Sequence, residues 1–296
     1  MTMLDWQILT SYSFILIAVG TFLLASSAGV IGTISVLKGQ SLIGDAIGHA
    51  AYPGIIIAFM LTLTKNPTYL LLGALFTGTL AFGLIQLINH YSKVELDAIL
   101  AIVLSMFFGM GMVLKTWIQG HPIYSQQSQA GLNNYIFGQA AYIMEQDVRL
   151  ILIVSIISLS IFALFFKEFK IFIFDEGYSQ ATGFHAKTMY TLLVLMTMFI
   201  IGVGLKLVGT ILIASLLIVP AVTALQWSNQ YHKVCFIAAG VGGISAVIGT
   251  YISTVHLGFS TGPTIIVVMT TLALISLVIG RRGVIHRWRQ RRSSKC

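Results

Sequence analysis

Charged side chains are scarce in this chain of 296 residues, where Asp, Glu, Lys and Arg together make up 9%. Water-soluble chains carry about 25%, so there is too little charge here to cover a water-facing surface. Hydrophobic residues reach 57% and the mean hydropathy is +0.91, the composition of an integral membrane protein. Proline is nearly absent, with 5 residues, and no long polar stretch leaves room for a soluble catalytic domain or a disordered tail. Cysteine is scarcer still. Cys235 and Cys296 stand far apart without paired spacing, which suggests neither a disulfide framework nor a thiolate metal site. The apolar runs are about 20 residues long rather than alternating ten-residue strands, which excludes an outer-membrane barrel. Before the first run the only charge is Asp5, so the positive n-region of a cleavable signal is missing and the run reads as a retained helix.

What is present is a series of apolar segments with polar punctuation. They predict an all-α polytopic membrane protein with nine helices, over about 12–37, 41–63, 67–89, 96–117, 147–166, 188–205, 208–227, 234–254 and 262–280. Lys206 and Leu207 alone separate the sixth from the seventh, so one broken segment and a half-helix, giving eight crossings, is the alternative. The whole chain, 1–296, reads as a single transmembrane domain. Net charge is +8, and seven of the 17 Lys and Arg lie in the tail 281–296. Beside a membrane helix, such a tail points to a cytoplasmic anchor facing anionic lipid headgroups, not to nucleic acid. With the C-terminus inside, nine alternating spans put thirteen Lys and Arg inside and four (Lys65, Lys115, Arg149 and Lys206) outside. The outer connection 119–147 is polar, and its middle, 135–142, suits a short surface or re-entrant helix. The longest inner connection before the tail is 167–187, carrying Glu168, Asp175 and Glu176 among lysines. Small residues such as Ala25 and Gly29, or Ser245 and Gly249, have the four-residue spacing of close helix packing.

Eight of the nine acids fall at helix ends or in connections; Asp45 alone lies inside an apolar run. An ionisable residue in a span costs a few kcal/mol, roughly 2.5–3.5 on insertion scales, and so needs a partner, a wet cavity or a function. His49 is four residues on, sharing its helix face. Carboxylate and imidazole together suit Mn²⁺, Fe²⁺ or Zn²⁺, with no sulfur ligand beside them to favour copper. Gly44, Ala46, Gly48 and Ala50 keep this helix thin enough for another backbone or an ion to approach. The plainer alternative is an Asp–His pair capping the start of a helix near the cytoplasmic interface. Two residues make no tight cage, so other helices or a second subunit complete the shell, or the ion is held weakly. His256, at the outer end of the eighth span, is a candidate extra ligand; His90, His121, His185, His232 and His286 fall in loops and take no role.

Four blocks resemble one family. Residues 44–54, Gly-Asp-Ala-Ile-Gly-His-Ala-Ala-Tyr-Pro-Gly, are similar to the Gly-Asp-Ala-x-x-His-Ala-x-x-Pro-Gly signature of the manganese, zinc and iron ABC-importer permeases. Residues 208–224 resemble a second block built on Leu-Leu-Ile-x-Pro-Ala-x-x-Ala, 261–267 the block opening the last span, and 174–183 the coupling segment. In that segment Gly177, Ser179, Gln180 and Thr182 depart from the acid, Ala, Arg and Leu often found there. The resemblance is to the streptococcal-type manganese permeases in particular. It implies a type II importer fold: a homodimer of permeases in a bacterial cell membrane, with two cytoplasmic ATPases and an extracytoplasmic metal-binding lipoprotein. It implies Asp45 and His49 as the ion site. Together with the inner placement of 167–187 it points to Phe172, Phe174, Asp175, Glu176 and Gly183 as the contact with the ATPase, a solvated connecting turn being the plainer alternative. No permanent cofactor is expected, and ATP belongs to the partner subunit.

Two other classes compete. A stand-alone secondary carrier needs further intramembrane acids for its coupling ion, and Asp45 has no companion. A membrane metalloenzyme needs three protein ligands and a catalytic acid or base, and no His-Glu-x-x-His occurs. The chain also lacks Gly-x-x-x-x-Gly-Lys-Ser/Thr, so the expected permease hydrolyses no ATP itself. Oxygen and nitrogen donors without cysteine lean to manganese, with zinc or iron as alternatives.

Overall fold

The computed structural model describes residues 10–121, 124, 135, 138, 143–181, 186–256 and 259–283. The described residues form helices without strands, in the order α1 (Tyr12–Leu37), α2 (Ile43–Thr62), α3 (Pro67–Tyr91), α4 (Leu96–Gln119), α5 (Glu145–Leu164), α6 (Phe166–Phe174), α7 (Glu176–Ala181), α8 (Ala186–Val208), α9 (Thr210–Leu225), α10 (Tyr231–Val255) and α11 (Thr261–Ile279). The limits follow local chemistry. Ser11 and Asn66 accept hydrogen bonds from the backbone N–H of Phe14 and Thr68 and so cap α1 and α3. Pro67 opens α3, where its missing N–H costs nothing.

Among the described residues eight helices are long and apolar enough to cross a membrane, each within a few residues of an expected span. The seventh apolar run is the exception. It forms α9, a helix of 16 residues, about 24 Å long at 1.5 Å per residue against about 30 Å of hydrocarbon. The interruption is not at Lys206 and Leu207, which continue α8, but at Gly209, whose φ of 88° lies in the region that favours glycine. α9 packs against α1, α2, α8, α10 and α11, so the shortest membrane helix is also among the most enclosed. The expected surface helix at 135–142 lies almost wholly outside the described residues, as does the tail from 284 onward.

Close helix contacts hold the bundle together. A Cβ on Gly29 would stand 2.8 Å from the Ala238 carbonyl oxygen, and one on Gly242 would strike that of Ala25, so α1 and α10 meet backbone to backbone. Gly32 faces the Leu217 carbonyl of α9 as tightly. We expect Gly32→Ala to force α1 and α9 apart and to cost about 1–3 kcal/mol, as overpacking does. A lowered thermal midpoint in detergent checks this; an unchanged one would mean that the two helices can separate without loss.

At the end of the bundle where α8 meets α9, Lys206 Nζ lies 2.5 Å from Asp147 Oδ2, joining α8 to α5. Asp147 also accepts the Met144 backbone N–H at 2.8 Å. Both side chains are largely buried, at 23% and 6% exposure. Breaking such a pair from one side costs about 3–5 kcal/mol, because the remaining charge is stranded. Lys206→Met is therefore expected to destabilise the permease strongly and Asp147→Leu/Lys206→Met much less; equal losses in single and double variants would contradict it.

At the opposite end α6 is fastened by aromatic rings. Phe166 stacks on Tyr231 of α10 with centroids 5.0 Å apart, and Phe169 stacks on Phe162 of α5 at 6.3 Å. Lys38 Nζ sits 4.0 Å from the Phe172 ring centroid.

Candidate metal site

Asp45 lies in the first turn of α2, where its charge is favoured by the helix dipole. His49 follows one turn later, and its Nε2 is 3.5 Å from Asp45 Oδ1. The carboxylate is the more accessible, with 33% side-chain exposure against 13% for the imidazole. The His49 ring meets the edge of Phe108 of α4, with centroids 4.8 Å apart and planes at 80°. Its Nδ1 is buried with no hydrogen-bond partner among the described residues, and the Tyr52 hydroxyl is in the same condition. Tyr52 lies seven residues from Asp45, which puts Asp45, His49 and Tyr52 on one stripe of α2. A buried polar atom without a partner costs about 1–3 kcal/mol, so this stripe offers polar atoms that the described residues leave unused.

The small residues around the pair have a specific neighbour. A Cβ on Gly48 would lie 3.0 Å from Ile213 Cγ2 and one on Gly44 2.7 Å from Leu217 Cδ1. The backbone brought close by these glycines is therefore α9.

His256 is not part of the constellation. It ends α10 at the far end of the bundle, exposed, with Nδ1 3.3 Å from the Ile252 carbonyl oxygen and its ring stacked on Phe259. Asp45 and His49 lie instead near the end of α2 that follows the short turn from α1. Among the described residues no group of three His, Cys, Asp or Glu is placed to hold a metal ion. Asp45 and His49 thus stand as a pair without a third such residue among the described residues. Sequence reasoning missed Tyr52, although its i+7 spacing from Asp45 was readable. It also missed Phe108, which no local pattern connects to α2.

The residues expected to meet the ATPase divide. Phe172 is buried within the chain itself, at 2% exposure, and offers no apolar surface to a partner; the lysine over its ring and the packing of α6 explain why. Phe174 is exposed, as is Tyr178 on α7. Asp175 is exposed and its Oδ1 accepts the Tyr178 backbone N–H at 2.8 Å, so it caps α7 while facing outward. The Glu176 side chain and Gly183 lie outside the described residues.

Residues 11–280 match the ABC 3 transport family. The chain belongs to that family. It is 39% identical over 290 residues, covering 97% of this chain and 96% of the relative, to the zinc transport system membrane protein TroC of Treponema pallidum. It is 41% identical over 266 residues to the manganese transport system membrane protein MntC of Bacillus subtilis, covering 90% of this chain and 60% of that protein. In structure it is similar to PsaBC from Streptococcus pneumoniae in complex with Fab, with a TM-score of 0.85, 27% identity and coverage of 99% and 100%. This ABC 3 family member is a multi-pass membrane permease, not an enzyme; ATP hydrolysis belongs to a separate subunit.

Proposed function

We propose that the chain is the permease of an importer for a divalent first-row metal, manganese in our reading, and that Asp45 and His49 hold the ion in transit. The observation that carries this is the carboxylate–imidazole pair inside a span, 3.5 Å apart. Oxygen and nitrogen donors suit Mn²⁺, Fe²⁺ and Zn²⁺ alike. Cys235, the one cysteine among the described residues, is buried on α10 and not on α2. Relatives named for manganese and for zinc transport agree with the metal class. Two ligands per chain, with the imidazole Nδ1 unsatisfied, suit transient binding or completion by a second copy, as in a homodimer. We place the C-terminus and α6–α7 on the cytoplasmic side, where α6–α7 would meet an ATPase dimer. An extracytoplasmic metal-binding lipoprotein would then deliver the ion at the other end, in a bacterial cell membrane. The test is ATP-dependent uptake of radioactive manganese by the assembled transporter in vesicles, with zinc and ferrous iron as competitors. Saturable manganese accumulation is expected; accumulation of zinc or iron without manganese would move the assignment to that metal.

A further inference from the structure

The end of the bundle that carries α6 also carries a cationic cavity of about 570 Å³, between the α9–α10 turn and the last turn of α11. Lys233, Arg281 and Arg282 line it together with Asn229, Trp227 and Ile237. Among the described residues no carboxylate lines it, and none of the three cations joins a salt bridge. Its frame is fixed. The Arg282 backbone N–H donates to the Gln226 carbonyl at 3.2 Å, and the Trp227 indole N–H donates to Ser276 Oγ. A Cβ on Gly280 would lie 2.9 Å from Gln226 Cβ, so the end of α11 is held against the turn. Three like charges gathered around amide groups in one cavity repel one another and call for an anion.

The apolar surroundings identify its kind. Ile237 stands one helical turn from Lys233, and the same stripe of α10 continues through Gly240, with nothing within 4 Å of a Cβ there, to the exposed Ile244 and Ile248. Beside Arg281, α11 exposes Leu274 and Val278. A cationic cavity thus opens onto two apolar helix faces that run into the membrane, with an indole at the boundary where Trp is favoured. We propose that this cavity binds the phosphate headgroup of an anionic phospholipid, with an acyl chain along the Ile237–Gly240–Ile244 stripe. The site tethers the α9–α10 turn, and hence α9, to the lipid surface.

The test is native mass spectrometry of the detergent-purified, full-length permease titrated with phosphatidylglycerol or phosphatidylcholine. The wild type and Lys233→Gln/Arg281→Gln/Arg282→Gln are compared with a variant whose arginines at 287, 289, 291 and 292 and Lys295 are replaced by glutamine. Selective retention of phosphatidylglycerol is expected, about a hundredfold weaker in the triple variant, given roughly tenfold or less per cation near an anionic surface. The tail variant is expected to retain it, and 10 mM inorganic phosphate is expected not to displace it. Equal retention in the wild type and the triple variant would overturn the proposal. So would loss in the tail variant alone, or displacement by free phosphate, which would make this a site for a soluble anion. Unchanged lipid retention with loss of ATPase co-purification in the triple variant would assign the surface to the ATPase instead.

Discussion

Metal uptake is expected to fall to background in Asp45→Ala and in His49→Ala, while the permease inserts and assembles as before. Loss of groups that merely orient metal ligands costs about 10–100-fold, so removing one of the two proposed ligands should cost more than about 100-fold. The substitutions are not expected to act through folding. Asp45→Ala takes a charge out of a span, which favours insertion, and the Asp45 side chain is one-third exposed, not part of the packed core. His49→Ala leaves a gap beside Phe108 but removes a buried imidazole nitrogen that has no partner among the described residues. Asp45→Asn keeps the shape and loses the charge, and should behave like Asp45→Ala. Transport of manganese at the wild-type rate by these variants would place the ion elsewhere.

The second large effect concerns α6 and α7. Phe174 is 62% exposed while Phe172 is 2% exposed, so polar replacement should separate the two residues. Phe174→Ser, alone or with Tyr178→Ser, is expected to leave the thermal stability of the permease intact. It should reduce ATPase co-purification or uncouple hydrolysis from transport at least tenfold, since exposed aromatic anchors carry much of an interface's energy. Phe172→Ser should instead lower stability by about 3–5 kcal/mol, as loss of a buried phenyl ring does, because it removes the ring that seats α6 under Lys38. The stacking of Phe166 on Tyr231 gives motion of α6 a direct path to α10, which meets α1 backbone to backbone. Normal co-purification and coupled hydrolysis in the Phe174→Ser/Tyr178→Ser variant would show that the ATPase grips another part of the chain.

Hydropathy located every membrane helix to within a few residues because a span must be long and apolar whatever it packs against. The break between α8 and α9 was misplaced for a physical reason. Lys206 looked like a loop residue, but Asp147, 59 positions away in sequence, neutralises it inside a helix. The glycine that breaks the chain, Gly209, is one of 28 and is marked only by its φ. The Asp45–His49 pair was legible because an i,i+4 spacing is local. What surrounds it was not: Phe108 of α4 and Ile213 and Leu217 of α9 reach the site through helix packing that no local pattern encodes. Phe172 and Phe174 are two residues apart in one aromatic run, and composition cannot tell which ring turns inward.

The most direct test of the metal assignment is pulsed electron paramagnetic resonance on Mn²⁺ bound to the assembled, nucleotide-free transporter. A ¹⁴N coupling from a directly bound imidazole is expected in the wild type and should vanish in His49→Ala while the protein remains folded. A bound manganese signal without nitrogen coupling, or a coupling that persists in His49→Ala, would contradict the assignment.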